Sequence, residues 1–320
     1  MDKLILAVSP HLRGKTNTTL IMLDVIIALI PTVIASSLIF GIRAALLVAV
    51  CVAACLISEF LFNLICKKPN SLGDLSAVVT GIILAFNLPV SLPIWQAVIG
   101  SVFAIVVVKM LFGGLGMNFA NPALTARIYM FITFGTAMSQ YGRASASAFF
   151  NLNLAATDLV AEATPLAANS SFGLMDLFLG KHGGCIGETC ALTLLLGGNY
   201  LLLRRVITIH IPLAFLGGLF VLSLMVAPDG AYVFTFALSQ ILSGGAMLGA
   251  IFMATDYVTS PCTNLGKLIF GLGCAILTFL IRNWASATEG VSFSILIMNI
   301  LTPHINNLTA IKPLGGIKAK

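Results

Sequence analysis

Hydrophobic residues run along the chain in segments of membrane length, and short stretches rich in Gly, Pro and charged residues separate them. A helix needs about 20 apolar residues to cross a bilayer, and the pattern predicts about ten such segments. They are 20–40, 44–66, 74–89, 93–112, 113–138, 188–203, 207–227, 232–254, 266–281 and 291–308. The chain is therefore predicted to be an all-α polytopic membrane protein.

Two parts of the chain share one pattern, which predicts an internal repeat of five segments in each half. Segment 73–89 runs from a Gly to a Pro over the same interval as 245–261, and residues 117–122 and 298–303 both read Met-Asn-x-x-polar-Pro. Because five is odd, the two copies would cross the membrane in opposite directions. Inverted repeats of this kind carry short, broken helices and place the functional site between the copies.

Positive charges favour a path with both termini in the cytoplasm, because Lys and Arg collect on the cytoplasmic side of membrane proteins. The predicted inner set comprises Lys3, Arg13, Lys15, Lys67, Lys68, Lys109, Arg204, Arg205, Lys267 and the C-terminal lysines, and the outer set comprises Arg43, Arg143, Lys181 and Arg282. The predicted parts are a cytoplasmic tail (1–18), a first membrane repeat (19–138), an extracytoplasmic loop (139–186), a second membrane repeat (187–310) and a cytoplasmic tail (311–320).

Composition agrees with a membrane protein. Hydrophobic residues make up 59% of the chain and charged residues 9%, and the mean hydropathy is +1.05. A soluble domain carries roughly a quarter charged residues. The net charge of +6 therefore reflects orientation in a lipid bilayer, and nucleic acid is not an expected partner.

Several acidic residues fall in or beside the apolar segments, where a charge costs at least about 2.5–3.5 kcal/mol at the bilayer centre. They are Asp24, Glu59, Asp74, Glu188 and Asp256. Asp74 and Glu188 also suit the first turn of a helix, where the helix dipole favours an acid. We interpret the set as a candidate path for Na⁺ or H⁺, with Arg127 as a counter-ion or a contact for a cofactor.

The sequence does not indicate a metal site, a nucleotide-binding motif or a catalytic triad. Cys185 and Cys190 lie close together without a second pair, whereas structural metal sites usually need four ligands. The histidines are scattered, and the sequence contains no phosphate loop, dinucleotide fingerprint or catalytic Ser/His/Asp order. We therefore predict no metal site and no catalytic residue.

The longest polar interval of the chain, roughly 139–184, contains Asp158-Leu-Val-Ala-Glu-Ala-Thr164. A Thr beside a Pro in such an interval is by itself an ordinary loop residue. The surrounding motifs change that interpretation. They are Ser9-Pro10-His11-x-Arg13, Gly73-Asp-Leu-Ser-Ala-Val-Val-Thr-Gly81, Gly113-Gly-Leu-Gly-Met-Asn-Phe-Ala-Asn-Pro122, Gly187-Glu188 and Ala254-Thr-Asp-Tyr-Val-Thr-Ser-Pro261.

With these motifs in this order, nearly the whole chain resembles the D-type membrane protein of the Rnf electron-transport complex. The resemblance implies FMN joined by a phosphoester to Thr164, in a motif where Asp158 and Ala163 keep the family frame and Ala161-Glu162 replaces Ser-Gly. It also implies a non-covalent riboflavin in the membrane region. A flavin accepts two electrons and passes them on singly, which suits a relay.

The resemblance further implies partners and a location. The partners would be the A, B, C, E and G subunits of the Rnf complex, an FMN transferase, and Na⁺ or H⁺ as the translocated ion. The location would be the bacterial cytoplasmic (inner) membrane, with the Thr164 loop on the extracytoplasmic side. In such a complex, electrons move between reduced ferredoxin and NAD, and the chain would not be catalytic alone.

Two alternatives remain at this stage. One is the related B-type protein of the sodium-pumping NADH:quinone reductase, which usually has a longer N-terminal extension than residues 1–18. The other is a permease without redox chemistry, resembling urea channels in its five-plus-five plan, since a fold does not imply a function. A pore has no reason to keep the Thr164 motif.

Overall fold

A computed structural model describes residues 17–144, 159–161, 165–166, 173–180, 182–226, 232–285 and 290–310, and these form a helical bundle. The helices are α1 (Thr18–Phe40), α2 (Ile42–Ile65), α3 (Ser76–Phe86), α4 (Ile94–Val102), α5 (Pro122–Thr133), α6 (Gly135–Met138), α7 (Leu174–Leu179), α8 (Ala191–Leu203), α9 (His210–Met225), α10 (Val233–Leu242), α11 (Ala246–Leu248), α12 (Asn264–Trp284) and α13 (Val291–Leu308). The predicted all-α polytopic fold is confirmed.

Among the described residues, two π-helical segments continue short helices, one in each half of the chain. Phe103–Met110 continues α4, and Gly249–Met253 continues α11. Such turns are rare and are often found at functional sites. A three-residue ladder pairs β1 (Gly142–Ala144) with β2 (Leu159–Ala161) in antiparallel fashion, Arg143 opposite Val160.

Three described helices are long and apolar enough to cross a membrane, namely α1, α2 and α12. Helix α10 and the helix formed by Ala246–Met253 would make a fourth span, but they are bent by 63°. The shorter apolar helices are Ser76–Phe86, Ile94–Met110, Ala191–Leu203 and His210–Met225. The count of about ten crossings therefore stays a prediction.

Two predicted segments are wrong in their boundaries. Segment 232–254 is not one helix, because Gly244 and Gly245 adopt φ values of 61° and 69°, which a right-handed helix cannot contain. Segment 113–138 becomes helical only at Pro122, where Asn121 caps α5 by accepting from the backbone N–H groups of the next turn. Pro at the first helical position and Asn before it are strong start signals.

The short helix α3 confirms the predicted half-helix in 74–89. Its 11 residues span about 16 Å at 1.5 Å per residue, which is half of a bilayer core. Asn87, which follows α3, places its Nδ2 3.3 Å from the Sδ of Met253. The last turns of the two short helices thus meet at their C-terminal ends, an arrangement that an inverted repeat predicts.

Two ends of the bundle can be identified from contacts between helix termini. At one end, the Thr19 hydroxyl donates to the Gly73 carbonyl at 3.3 Å, and we name this the Thr19 end. At the other, the buried guanidinium of Arg43 donates to the carbonyls of Val90 (2.9 Å) and Leu92 (3.0 Å), and we name this the Arg43 end. Along the helices between them, large apolar side chains are exposed, as expected of a surface that faces lipid.

Close packing of α8 on α1 depends on Gly197. A Cβ at this position would lie 2.2 Å from the Ala28 carbonyl oxygen, whereas a Cβ at Gly217 would meet no atom within 4 Å. We expect Gly197→Ala to destabilise the chain by about 1–3 kcal/mol through overpacking, and Gly217→Ala to be neutral or stabilising because Ala favours helix. Thermal unfolding of both variants in one detergent checks this, and equal melting temperatures would contradict it.

Candidate functional site

A cavity of about 140 Å³ lies near the Thr19 end, between α1, α3, the start of α5 and the residues after Met253. Its polar wall comprises Ser76, Thr80, Lys109, Asn118, Asn121, Thr255, Asp256 and Tyr257. The remaining wall is apolar and includes Ile83 and Phe252. Binding pockets for small molecules and cofactors are typically apolar with a few placed polar groups, so this cavity is the leading candidate site.

Lys109 and Glu59 form a buried ion pair beside the cavity. The Lys109 Nζ lies 2.7 Å from the Glu59 Oε2, and the two side chains are 2% and 0% exposed. Lys109 also donates to the Ser76 hydroxyl at 2.5 Å, and Ser71 donates to the other Glu59 oxygen. The predicted ion-path residue Glu59 therefore has a lysine as its partner, and Ser76 and Lys109 line the cavity whereas Glu59 does not.

Two predicted acids close the turns that border the short helices. Asp74 accepts from the backbone N–H (2.8 Å) and hydroxyl (2.6 Å) of Ser76, the first residue of α3. Asp256 accepts from the Val258 N–H (3.3 Å) and the Thr259 hydroxyl (3.1 Å). Burial raises the pKa of Asp256, and these two hydrogen bonds oppose the rise. Asp256 borders the cavity, so it is the predicted acid best placed to contact a ligand or an ion there.

Asp24 ties α1 to α8. It accepts from the Tyr200 hydroxyl at 2.9 Å and from the guanidinium of Arg204 at 3.3 Å and 3.4 Å. The hydrogen bond to Asp24, followed by its charge, raises the pKa of Arg204. Met22 and Val25 line the cavity, whereas Asp24 does not. These contacts indicate that Asp24 links α1 to α8.

Arg127 and Glu188 lie together in the middle of the bundle. Arg127 donates to the Asn87 Oδ1 at 2.7 Å and approaches the Cys185 Sγ at 3.6 Å, while Glu188 accepts from the Cys185 N–H at 2.9 Å. The Glu188 Oε2 and the Arg127 Nη1 lie 2.8 and 3.8 Å from the point that a Cβ on Gly245 would occupy. The start of α11, which follows the break after α10, therefore faces a buried carboxylate and a buried guanidinium.

The segment before α8 completes the end of α3. The N–H groups of Ile186 and Gly187 donate to the carbonyls of Leu88 (3.0 Å) and Phe86 (2.9 Å). A helix that ends inside a membrane protein needs such partners for its freed backbone groups. The predicted pair Gly187-Glu188 thus has a structural role as well as a charged side chain.

The predicted flavin motif is only partly covered, because Asp158, Ala163 and Thr164 lie outside the described residues. Between Asp158 and Ala163, Leu159–Ala161 forms β2 and pairs with β1. After the motif, the Leu166 Cδ1 lies 2.3 Å from the point that a Cβ on Gly244 would occupy. Leu166 therefore packs at the break between α10 and α11.

The structure brings some predicted residues together and leaves others apart. Arg127 meets Glu188, Asp256 shares a cavity with Lys109, and Asp24 stands in a separate ion pair. The sequence interpretation missed the pairing role of Lys109, whose signal was a lone lysine inside an apolar segment. Within the described residues, no group of three His, Cys, Asp or Glu could hold a metal ion.

Comparison with known proteins matches residues 5–315 to the model of the NQR2, RnfD, RnfE family. The chain belongs to this family. A relative from Acetobacterium woodii, 43% identical over 330 residues, is the D subunit of a Na⁺-translocating ferredoxin:NAD⁺ oxidoreductase complex, and the match covers 100% of this chain and 98% of the relative.

Two further family members show the same full-length match. The D subunit of a proton-translocating ferredoxin:NAD⁺ oxidoreductase complex from Clostridium ljungdahlii is 35% identical, with 94% of this chain and 93% of the relative covered. The D subunit of an ion-translocating oxidoreductase complex from Stutzerimonas stutzeri is 35% identical, with the same coverage. The family thus includes relatives named for Na⁺ and for protons.

Proposed function

We propose that the chain is the D-type membrane subunit of an ion-translocating ferredoxin:NAD⁺ oxidoreductase complex. The observation that carries this proposal is the end-to-end similarity to D-type subunits, at 43% identity for the Acetobacterium woodii relative. The chain is not catalytic alone, and the A, B, C, E and G subunits of the Rnf complex would supply the ferredoxin and NAD sites. The proposed location is the bacterial inner membrane, with the Thr164 loop on its extracytoplasmic side.

We further propose that an FMN transferase joins FMN to Thr164 through a phosphoester. Asp158, Ala163 and Thr164 keep the family motif, and Glu162 stands where the family has Gly. A covalent link would keep the flavin in a solvent-facing loop. Leu166, two residues after Thr164, packs beside Gly244 at the helix break.

Mass spectrometry of the chain purified from its own membrane tests this attachment. We expect FMN on the peptide that contains Thr164, and its loss in Thr164→Ala. Thr157→Ala, in the same loop, is the matched control and should keep the flavin. An unmodified Thr164 in native membranes that contain the transferase would refute the attachment, and an ion-flux assay would then be needed to examine the permease alternative.

The cavity is the proposed place for a second, non-covalent flavin. Asn118 lines it, and its Oδ1 is buried without a hydrogen-bond partner among the described residues. An open acceptor in this wall fits the polar edge of an isoalloxazine ring or a ribityl hydroxyl, because buried polar atoms are normally hydrogen-bonded. Thr80 offers a further polar group in the same wall.

The mechanism assigns distinct tasks to the residues of the chain. A bound flavin would supply one-electron and two-electron chemistry. Lys109 lines the cavity whereas its partner Glu59 does not, so the ion pair presents its positive end to the cavity and would stabilise negative charge there, because opposite charges attract strongly where water is excluded. Glu59 and Ser76 hold the Lys109 ammonium in place. Asp256 is the acid in the same wall that could take up a cation as the charge in the cavity changes.

The proposed ion path contains Asp24, Glu59, Asp74, Glu188 and Asp256, with Na⁺ or H⁺ as the ion. Within this set, the described contacts favour Asp256, which borders the cavity, and Glu188, which lies in the middle of the bundle beside Gly245. Asp24 and Asp74 have contacts typical of structural roles. A carboxylate suits both ions, so the path alone does not select one of them.

A further inference from the structure

Helix α13 carries two buried polar side chains that the fold of the chain does not satisfy. Asn299 is 2% exposed and Ser292 is 3% exposed. Neither the carboxamide of Asn299 nor the hydroxyl of Ser292 has a hydrogen-bond partner among the described residues. A buried polar group left unpaired costs about 1–3 kcal/mol, so a small polar molecule or ion is expected to pair with them.

The direction of these side chains follows from the neighbours of α13. Ser294 bonds Thr278 of α12 at 2.7 Å. Val291 and Ile295 pack against Gly249 of the π-helical segment, and the ring of Phe293 lies 6.3 Å from that of Phe131 in α5.

Successive residues of a helix are rotated by about 100°. Ser292 and Asn299 are seven residues apart and therefore lie on the same face of α13. This face lies between the side of α13 that contacts the π-helical segment Gly249–Met253 and the side that contacts α5. We name the contact region of α5, Gly249–Met253 and α13 the seam.

The seam leads to a predicted ion-path acid at each end. Towards the Thr19 end, the Thr302 hydroxyl donates to the Thr259 carbonyl at 2.9 Å, and Thr259 in turn donates to Asp256 beside the cavity. In the opposite direction, the seam approaches Gly245, which lies shortly before the π-helical segment and beside Glu188 and Arg127. Asn299 lies between these two places, because α13 runs from Val291 beside Gly249 to Thr302 beside Thr259.

We propose that the seam is a hydrated passage in which Ser292 and Asn299 hold the water molecules that conduct the translocated cation between Asp256 and Glu188. Water in such a site typically makes about three hydrogen bonds, and the Ser292 hydroxyl and both polar atoms of the Asn299 carboxamide are open to it. The passage rests on the proposed function, since it needs a complex that moves an ion.

Transport measurements on the whole complex in inverted membrane vesicles test the passage. We expect Asn299→Leu and Ser292→Ala to lower ion uptake per electron transferred by about tenfold, equivalent to about 1.4 kcal/mol on the barrier. Ser294→Ala is the matched control, because the Ser294 hydroxyl is already bonded to Thr278, and it should transport normally. Parallel assays of Na⁺ uptake and proton movement identify the ion.

Accessibility of introduced cysteines provides an independent readout. In a background without the exposed Cys66 and Cys262, Ser292→Cys and Asn299→Cys should react with a small, water-soluble methanethiosulfonate, and Ser294→Cys should not. Unreactive thiols at 292 and 299, or an Asn299→Leu variant that melts higher and transports normally, would show a dry seam and overturn the passage. Failure of the proposed function would differ, because the unmodified complex would then lack Thr164-bound flavin and ferredoxin-dependent NAD⁺ reduction.

Discussion

Lys109→Met will destabilise the folded chain by about 3–5 kcal/mol, the usual cost of leaving a buried charge without its partner. Glu59 is fully buried and pairs with the Lys109 Nζ at 2.7 Å. Met fills a similar volume but cannot neutralise the carboxylate, which must then take up a proton or draw in water. Chemical unfolding of the purified chain in mild detergent, followed by helical circular dichroism, measures the loss.

The double variant Glu59→Gln/Lys109→Met tests whether the loss comes from the pair. With both charges removed, we expect most of the stability to return, because a neutral replacement of a buried pair is often neutral or stabilising. The matched control is Lys267→Met, which removes a lysine from the start of α12. An additive double variant, with no coupling between the two sites, would contradict the importance of the ion pair.

Thr164→Ala will abolish ferredoxin-dependent NAD⁺ reduction by the complex, down to the rate of membranes that lack the chain. The reason is that an electron relay fails when one carrier is missing, and the protein's task is to hold that carrier in place. The rate should be measured with reduced ferredoxin in vesicles that contain the assembled complex, with the amount of each subunit checked by immunoblot.

Thr164→Ser separates loss of the flavin from damage to the loop. Its hydroxyl can form the same phosphoester, so partial recovery of both covalent flavin and NAD⁺ reduction is expected. Thr157→Ala should behave as the unmodified chain. If Thr164→Ala kept full turnover in an assembled complex, the attached flavin would not lie on the electron path, although membership of the family would stand.

A cation reaches the break before the short helix in each half of the chain. Lys109 donates to the Ser76 hydroxyl at the start of α3, and Arg282 donates to the carbonyls of Ser243 and Gly244 at 3.0 and 3.2 Å, just before α11. Broken helices in a membrane protein need partners for their freed backbone groups, and Arg282 supplies them for two carbonyls. Lys109 binds a side-chain hydroxyl instead, so the two halves share a cation beside the short helix and differ in the group that it binds.

The sequence alone was sufficient for the class of protein, for most helix positions and for the family. Hydropathy over about 20 residues reports membrane helices directly, and the half-helix α3 was visible as a segment too short to cross. Gly244 and Gly245 are one of two exceptions, beside the late start of α5 at Pro122. Their left-handed conformation breaks a segment whose hydropathy predicts one span, because hydropathy carries no information on φ.

The tertiary structure alone decided which charges meet. Glu59 and Lys109 are separated by 50 residues in the sequence, and Asp24 and Arg204 by 180. A charge inside an apolar segment indicates that some partner must exist, since an isolated one is costly. Its identity depends on which helices pack together and how each is rotated. For the same reason, only the packed helices showed that Asn299 and Ser292 face the seam between α5 and the broken helix.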